Sequence, residues 1–324
     1  MTVNQTLSFF DPVQNELNEV ELTLRLQGNI DNPDLKAATD LIFKSGGKRI
    51  RPVLALLVGK MLGAEHTPLI AIASAIELLH TATLVHDDLI DGSLLRRGMP
   101  TLNSKWSPGA TVLTGDYLFA RAALKAAETN SIPIMHLFSN TLSVIVNGEI
   151  RQLFTGRCKV NREEYFQRIY AKTASLFETS AKSAALLSLI NQEDIDALGL
   201  FGKNIGIAFQ IMDDILDFTG EPSRLGKPIG SDLQQGIVTL PVILYSEVYP
   251  SDPEIQHLQS GNCANAERVS RLVSAILKSE AISLAITEAE DHVKKGISIL
   301  SKFPVSLERQ ALIELAQFIV NRRL

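Results

Sequence analysis

A long apolar helix that ends in acid groups most constrains what this chain can fold into. The stretch from Ile70 to Asp91 contains no Gly or Pro and is rich in Ala, Leu and Ile, which predicts a helix that is apolar on nearly all sides and lies in the centre of a large core. Its last turns nevertheless carry Asp87, Asp88 and Asp91. Asp87 and Asp91 lie one turn apart, where their carboxylates repel each other and oppose the helix dipole. Folding does not require this arrangement, whereas a bound cation would explain it.

A second stretch, FQIMDDILDF from Phe209 to Phe218, repeats the spacing after apolar helical sequence. Its polar residues fall on one helical stripe, namely Gln210, Asp213, Asp214 and Asp217. The two helices are expected to face each other across a cavity that holds metal. Oxygen-only donors favour Mg²⁺, which completes its shell with water and substrate phosphate, and no Cys/His cluster with zinc spacing competes. A solvated acidic helix end is the alternative for either stretch alone, but two copies in apolar context favour metal.

Composition and charge exclude several classes of protein. Hydrophobic residues make up 45% of the 324 residues and charged residues 21%, enough for a sizeable core. A net charge of −5 argues against nucleic acid as the main partner. The first residues show no basic region followed by an apolar run, so a signal peptide is not expected. The charge-free run 131–148 contains Pro, His and Asn, which predicts a core helix and not a membrane span. Cys158 and Cys263 form no recognisable framework, which fits a soluble protein of the reducing cytoplasm.

The fold class predicted is all-α. Prolines stand at the starts of apolar runs with helical period, and alternating β-branched segments are lacking, so strands are not expected. The predicted helices are 11–27, 34–44, 52–63, 68–91, 109–128, 132–155, 162–190, 193–219, 237–248, 264–279, 281–301 and 306–322. No linker divides the chain, so a single domain, 1–324, is expected, with helix 11–27 as a candidate peripheral element.

Three further segments carry cations. The segment from Ser45 to Pro52, SGGKRIRP, places three cations in four residues before a helix start, where it is either an anion site or an ordinary basic loop. Lys172 and Thr173 stand side by side within a helical run, which is uninformative alone. The Gly- and Pro-rich segment 226–233 carries Lys227 and is either a lid or a surface connection.

With these segments in order, the chain resembles the trans-type polyprenyl diphosphate synthases, the family that includes farnesyl, geranylgeranyl and solanesyl diphosphate synthases. The motifs are specific in combination and lie between about residues 45 and 241: GGKRIRP, HTATLVHDDLIDGSLLRRG, GEIRQ, AKTA, FQIMDDILDFTG and GKPIGSD. The resemblance implies an isoprenoid synthase fold around a deep central cavity, a homodimer, and Mg²⁺ as cofactor with up to three ions per site. It also implies isopentenyl diphosphate and an allylic diphosphate as substrates.

The resemblance also implies roles for individual positions. The diphosphate of isopentenyl diphosphate is held by Lys48, Arg51, His80 and Arg97. The allylic diphosphate is contacted by Arg96, Lys172, Thr173, Gln210 and Lys227. The metal ligands are Asp87, Asp91 and Asp213, while Asp88, Asp214 and Asp217 either bind metal through water or orient their neighbours. The residues that act in catalysis are Asp87, Asp88, Asp91, Arg96, Lys172, Asp213 and Lys227.

Helical geometry supports one of these roles independently. His80 precedes Asp87 by seven residues, so the two side chains fall on nearly the same side of the helix, two turns apart. His86 has no such support and is interpreted as structural. Arg49 is interpreted as a solvated cation. Arg322 and Arg323 either close over the isopentenyl site or form a frayed basic end, and the second interpretation is preferred.

The constellation suits ionisation followed by carbon–carbon bond formation. Metal ions and cationic side chains neutralise the departing diphosphate, and the double bond of isopentenyl diphosphate attacks the allylic cation. Two anionic substrates repel each other, so two cationic subsites are needed. The resemblance implies that the released diphosphate takes the final proton, which agrees with our finding no convincing side-chain base.

Product length is predicted from the helix that precedes the first motif. The growing tail is expected to run from Asp87 toward the helix N-terminus. It passes Thr83, Ala82 and Leu79, the last about 12 Å away at 1.5 Å per residue. Short-chain members of the family place an aromatic floor near these positions, whereas Ala82 and Thr83 are small. We therefore predict a product longer than C20, such as solanesyl (C45), with a C20 geranylgeranyl product as the alternative if Leu79 or a residue of 141–149 closes the tunnel.

Two rival functions come from other classes. A terpene cyclase shares the metal-triggered ionisation but needs one diphosphate subsite, and its second motif typically mixes Asn, Ser and Glu. Here that motif is fully aspartate, and the basic segment would have no role. A noncatalytic helical partner subunit predicts degraded aspartate motifs, which this chain does not show.

Overall fold

The structure is a computed structural model that describes residues 8–26, 31–44, 46–96, 98–154, 158–220, 229–263 and 265–322. Within these ranges regular structure is almost entirely helical, which confirms the predicted all-α class. The β structure that these ranges contain is one antiparallel hairpin of two-residue strands, β1 Leu95–Arg96 and β2 Met99–Pro100. The expectation of no strands was wrong at this point because so short a pair has no alternating pattern to detect.

The helices follow in chain order. The first half contains a 3₁₀ helix Ser8–Val13, α1 Gln14–Leu26, α2 Pro33–Lys44, α3 Ile50–Met61, α4 His66–Ile90, a 3₁₀ turn Leu102–Ser104, α5 Pro108–Ala127 and α6 Ile132–Phe154. The second half contains α7 Arg162–Ile169, a π-helical turn Tyr170–Ala174, α8 Ser175–Leu186, α9 Gln192–Thr219, α10 Ser231–Gln234, α11 Leu240–Val248, α12 Pro253–Gln259, α13 Ala266–Lys278, α14 Ala281–Leu300 and α15 Leu307–Asn321.

Two predictions of helix extent were wrong. The predicted helix 162–190 is divided into α7, the π-helical turn and α8. Helix α12 was missed, although Asp252 caps it by accepting from the backbone N–H groups of Glu254 and Ile255, and Pro253 stands in its first turn. An Asp-Pro pair is a helix start signal, but the segment is too short to show a clear apolar period.

The chain groups into two compact units, each made of separated stretches. Unit 1 contains Met1–Thr141, Leu176–Gly202 and Leu300–Leu315. Unit 2 contains Leu142–Ser175, Lys203–Ile299 and Ala316–Leu324. The single domain 1–324 stays a prediction, and each unit is described by itself below.

Helix α4 forms the centre of unit 1. Every residue from Ala71 to Leu79 is buried, as the unbroken apolar sequence predicts. Gly59 of α3 lets the side chain of Leu69 come close, because a Cβ atom at residue 59 would lie 2.4 Å from Leu69 Cδ1. By length and composition α4 is also apolar enough to cross a membrane, but 72% of its most apolar window is buried inside the protein, as in a core helix.

Unit 2 contains a disulfide that the sequence did not reveal. Cys158 and Cys263 are joined, with their Cα atoms 5.3 Å apart and a sequence separation of 105. The prediction that these cysteines form no framework was therefore wrong. Whether two cysteines this far apart can pair depends on the tertiary path of the chain. The cysteines consequently give no support to a reducing compartment.

Candidate active site

The first aspartate motif lies at the C-terminal end of α4. Asp88 is buried and accepts hydrogen bonds from Arg96 Nε at 2.9 and 2.8 Å, while Arg96 Nη2 lies 2.8 Å from Asp88 Oδ1. Burial by itself lowers the pKa of Arg96, but the bonds to Asp88 and the nearby charges of Asp87 and Asp91 raise it above its ordinary value. Asp87 is half-buried, and Asp91 is exposed at the helix end. The middle carboxylate therefore holds an arginine, and the outer two are the more accessible.

The predicted anion site places two of its members in contact. Arg51 Nη1 lies 3.1 Å from His80 Nε2, and the guanidinium carbon of Arg51 lies 4.7 Å from the centroid of the Phe177 ring. A guanidinium can only donate, so His80 Nε2 accepts and the imidazole proton is on Nδ1. Lys48 is exposed nearby in sequence, just before α3. Arg51 and His80 thus form one cationic pair on α3 and α4.

Arg49, predicted to be solvated, is buried instead. Its Nη1 donates to Glu77 Oε1 at 2.6 Å, and its Nε and Nη2 donate to Glu21. Burial by itself lowers the pKa of Arg49, but the hydrogen bonds that it donates to Glu21 and the charge of Glu77 raise it. The prediction was wrong because a sequence does not show which of three neighbouring cations turn inward, and here both Arg49 and Arg51 do. Arg49 ties the basic segment to α1 and α4, with its charge balanced by the two glutamates.

A cavity of about 70 Å³ adjoins these groups in unit 1. Its polar wall contains Arg49, Glu77, His80, Asp88 and Arg96, and its apolar wall comes from α2, α4 and the segment 99–102. The basic segment, the end of α4 and the hairpin therefore border one cavity that has a polar and an apolar wall.

The second motif lies near the end of α9 in unit 2, and its first carboxylate meets the end of the chain. Asp213 is half-buried, and Arg322 Nη2 donates to Asp213 Oδ1 at 2.9 Å. Arg322 is buried, so the interpretation of a frayed end was wrong for this residue. Arg323 lies outside the described residues. Proximity of a terminal residue to α9 is a tertiary contact that no local pattern indicates.

Asp214 is fully enclosed by neutral donors. Tyr165 Oη donates to Asp214 Oδ2 at 2.7 Å, and Gln210 Nε2 donates to Oδ1 at 2.9 Å. Burial raises the pKa of Asp214 to about 7, helped by the charge of Asp232, while the bonds from Gln210 and Tyr165 lower it in part. Gln210 Oε1 in turn accepts from Thr173 Oγ1 at 2.6 Å. Hydrogen bonds therefore link the predicted site residues Thr173 and Gln210 to Asp214 and, through Asp214, to the buried Tyr165.

The Lys-Thr pair lies in the π-helical turn Tyr170–Ala174. Lys172 is exposed and its Nζ donates to Glu149 Oε1 at 2.7 Å, whereas Thr173 is buried and points to Gln210. Such turns insert a residue into a helix and occur often at functional sites. Tyr165 and Glu149 were missed as site residues, although Glu149 stands in the GEIRQ motif.

Asp217 fixes the second half of the Gly- and Pro-rich segment 226–233. It is buried, and its carboxylate accepts from Ser231 Oγ at 2.7 Å and from the backbone N–H of Asp232 at 3.2 Å. Its backbone carbonyl accepts from Gly230 N at 2.9 Å. Lys227, like Arg97, lies outside the described residues. Asp217 is therefore a positioning group in this structure.

The predicted chain-length positions differ in exposure. Leu79 and Ala82 are fully buried, while Thr83 is half-buried and its Oγ1 donates to the His80 carbonyl at 2.8 Å. His86, interpreted as structural, has Nε2 3.1 Å from the Val112 carbonyl. Of the three predicted chain-length positions, Thr83 is the one with exposed surface, so a larger side chain is most easily accommodated there.

The donor set fits a hard divalent cation. Within the described ranges no three His, Cys, Asp or Glu side chains are grouped to hold an ion by themselves. The motif carboxylates that retain exposure are Asp87, Asp91 and Asp213. Mg²⁺ suits such a set, since it takes one or two carboxylates and fills its shell with water and phosphate oxygen.

Comparison with known proteins gives a consistent result. Residues 32–276 match the family model described as polyprenyl synthetase. The chain is 35% identical over 330 residues to a prenyl transferase of Synechocystis, covering 98% of each chain. It is 31% identical over 326 residues to the octaprenyl diphosphate synthase of Haemophilus influenzae, covering 99% of this chain and 98% of the relative. A polyprenyl synthase from Caulobacter crescentus, solved with calcium and isoprenyl diphosphate, superposes with a TM-score of 0.90 at 32% identity and covers 98% of each chain.

Proposed function

This chain belongs to the polyprenyl synthetase family, and we propose the individual steps and residues by which it condenses isopentenyl diphosphate with an allylic diphosphate. It has the all-α isoprenoid synthase fold of that family and is a polyprenyl diphosphate synthase. The observation that carries the proposal is the family match across both complete aspartate motifs, which span residues 87–91 and 213–217. The enzyme depends on a divalent metal.

We propose Mg²⁺ as that metal, with up to three ions per site. Asp87, Asp91 and Asp213 would hold it, because these motif carboxylates retain exposure. Bound metal supplies charge that offsets the negative charge developing on the leaving diphosphate. Asp88, Asp214 and Asp217 are proposed as orienting groups, since each is buried and hydrogen-bonded to protein.

Two cationic subsites are proposed for the two substrates. The isopentenyl diphosphate is bound by Lys48, Arg51, His80 and Arg97, and the contact between Arg51 and His80 supports this grouping. In this role Arg51 and an imidazole N–H of His80 donate to phosphate oxygen.

The allylic diphosphate is proposed to bind to Arg96, Lys172, Thr173, Gln210 and Lys227. The bond between Thr173 and Gln210 supports their action as a pair. Lys172 exchanges Glu149 for phosphate oxygen when the substrate binds, because a diphosphate carries more charge than one carboxylate. Apolar side chains keep water from the allylic cation, and the released diphosphate takes the proton at the end.

The direct test of function uses the purified chain alone. Incubation with Mg²⁺, isopentenyl diphosphate and an allylic primer is expected to give elongated product, and EDTA is expected to abolish it. A terpene cyclase would instead release a hydrocarbon or alcohol from the primer alone. A noncatalytic subunit would give no product without a partner. Either of these results would contradict the proposal.

The product is proposed to be longer than C20, of solanesyl size. Small residues at positions 82 and 83 support this length, as do relatives named octaprenyl and solanesyl diphosphate synthase. A geranylgeranyl product is the alternative, since a structural relative from Lactobacillus brevis is named for that product. Thr83→Phe is expected to shorten the product, with chain length read by reversed-phase chromatography. Thr83→Val keeps the volume and should not. An unchanged distribution in Thr83→Phe would contradict the floor assignment.

A homodimer is also proposed. Four large apolar residues on α6 are exposed at helical spacing: Val146, Ile150, Leu153 and Phe154. A stripe of this kind is typical of a surface that another chain covers. Sedimentation of wild type is expected to give a dimer, and Leu153→Glu with Phe154→Glu a monomer. A wild-type monomer would contradict the proposal.

We also propose that the chain forms a single domain and that it lies in the cytoplasm. A single domain is expected to unfold in one cooperative transition.

A further inference from the structure

Arg322, the last described residue, lies beside Asp213, which is the carboxylate of the second motif that retains exposure. We propose that Arg322 is a built-in counter-cation of Asp213, which holds this carboxylate in the substrate-free enzyme and keeps its affinity for metal low until a diphosphate arrives. The inference rests on the proposed role of Asp213 as a metal ligand.

The position of Arg322 is fixed by several groups. Its Nη2 donates to Asp213 Oδ1 at 2.9 Å and to the Phe209 carbonyl at 3.1 Å, and its Nε donates to the Ile319 carbonyl at 3.3 Å. The guanidinium carbon also lies 4.0 Å from the centroid of the Phe209 ring. Only 7% of the residue is exposed. The position of this cation beside Asp213 is therefore held by the end of α15 and the Phe209 ring as well as by the ion pair.

A fixed guanidinium weakens the attraction of Asp213 for a metal ion. The Asp213 side chain keeps 40% of its surface exposed, so an ion can approach it from solvent. Arg322 Nη2 is 2.9 Å from Asp213 Oδ1, so an ion bound to this carboxylate would be close to a second positive charge. Even with the screening of bulk water, this repulsion is expected to weaken binding on the order of tenfold. Arginine also stays protonated at every relevant pH, so deprotonation cannot remove the repulsion.

A diphosphate reverses this balance. It carries several negative charges, which outweigh the single positive charge of Arg322 and attract both the arginine and the metal ion. Metal at Asp213 is then favoured together with diphosphate and disfavoured without it. Arg322 would thus couple metal loading to substrate binding through charge alone.

The test is the binding of Mn²⁺ alone to substrate-free protein, measured by the EPR signal of free Mn²⁺. Arg322→Met is expected to bind Mn²⁺ at the Asp213 site on the order of tenfold more tightly than wild type. Arg322→Gln, which keeps an amide donor for the Phe209 carbonyl, should show the same gain, and Arg322→Lys, which keeps the charge, should stay near wild type. Arg271→Met is the matched control, because Arg271 pairs with Glu254 and Glu267 elsewhere in unit 2.

The outcomes separate this inference from the proposed function. In the double variant Arg322→Met/Asp213→Asn the gain in affinity must disappear. If Arg322→Met and Arg322→Gln bind Mn²⁺ no more tightly than wild type, or if neither folds by circular dichroism, Arg322 is only a structural residue and the inference is overturned. If Asp213→Asn leaves turnover and its dependence on Mg²⁺ unchanged, it is the proposed role of Asp213 that fails.

Discussion

The two aspartate motifs have the same spacing but lie in different electrostatic surroundings. In the first, the middle carboxylate of Asp88 is paired with the cation Arg96. In the second, the middle carboxylate of Asp214 is surrounded by the neutral donors Tyr165 and Gln210, and its pKa is raised to about 7. Identical sequence spacing therefore gives a half-buried ion pair in one unit and a buried carboxyl group with a raised pKa in the other.

The motifs also differ in how many carboxylates stay accessible. Asp87 and Asp91 both retain exposure at the end of α4, whereas Asp213 alone does so in the second motif, because Asp217 is bonded to Ser231 and the backbone of Asp232. We therefore expect the first motif to contribute more to metal binding than the second.

The largest expected effect is on turnover when an accessible carboxylate is removed. Asp87→Asn is expected to lower kcat on the order of 10³-fold and Asp213→Asn on the order of 10²-fold, because each removes charge that stabilises the departing diphosphate and the first motif is expected to hold more of the metal. Steady-state assays with labelled isopentenyl diphosphate measure this. Asp40→Asn, an exposed aspartate on α2, is the control and should retain full activity. Activity within a few fold of wild type in both motif variants would remove the basis for a metal role.

The next effect is the pH dependence of stability due to Asp214. Its pKa is raised from 3.8 to about 7 by burial and the charge of Asp232. Below the pKa of Asp214 in the unfolded chain, the carboxyl is protonated in both states. Between this pKa and the pKa in the folded protein, only the folded state holds the proton. Its contribution to stability is thus complete at low pH and is lost as the pH rises through this interval, by up to about 1.4 kcal/mol per pH unit.

Urea unfolding of wild type and Asp214→Asn at a series of pH values measures this contribution as a difference. The free energy of unfolding of wild type relative to the variant is expected to fall between about pH 4 and pH 7 and then to level off. Tyr165→Phe, which removes one donor to the same carboxyl, should keep this fall. A constant difference between wild type and Asp214→Asn would show that the carboxyl is not protonated in the folded state.

A smaller effect is expected from the ion pair of the first motif. Asp88→Asn should lower the free energy of unfolding by about 1–2 kcal/mol, less than for a fully buried pair because Arg96 is partly exposed. A double-mutant cycle with Arg96→Met isolates the coupling between the two side chains. Coupling close to zero would mean that Asp88 and Arg96 stabilise the end of α4 independently.

The smallest effect concerns Asp217 as a positioning group. Asp217→Asn weakens the bonds that fix residues 230–232, which follow the segment containing Lys227. The KM for the allylic diphosphate is expected to rise about three- to tenfold, with a smaller change in kcat. Ser231→Ala removes one of these bonds and should have a weaker effect. A fall in kcat as large as that of Asp213→Asn would instead make Asp217 a metal ligand.

The sequence predicted the outline of both motifs but not their internal division of roles. Spacing placed Gln210, Asp213, Asp214 and Asp217 on one helical stripe, and the structure keeps them on α9. Which of them is buried depends on Tyr165 and Ser231, which lie far away in sequence. The same holds for Arg49, because the inward turn of one cation requires Glu21 and Glu77 from other helices.

The sequence by itself determined the helical class, the burial of α4 and the family, because these follow from local period, apolar composition and ordered motifs. The tertiary structure alone decided the disulfide between Cys158 and Cys263, the π-helical turn, and the pairing of Arg322 with Asp213. The disulfide and the Arg322–Asp213 pair each require the packing of segments that are distant in sequence. Charge, protonation and access at a carboxylate are set by what packs against it, and a linear pattern does not contain that information.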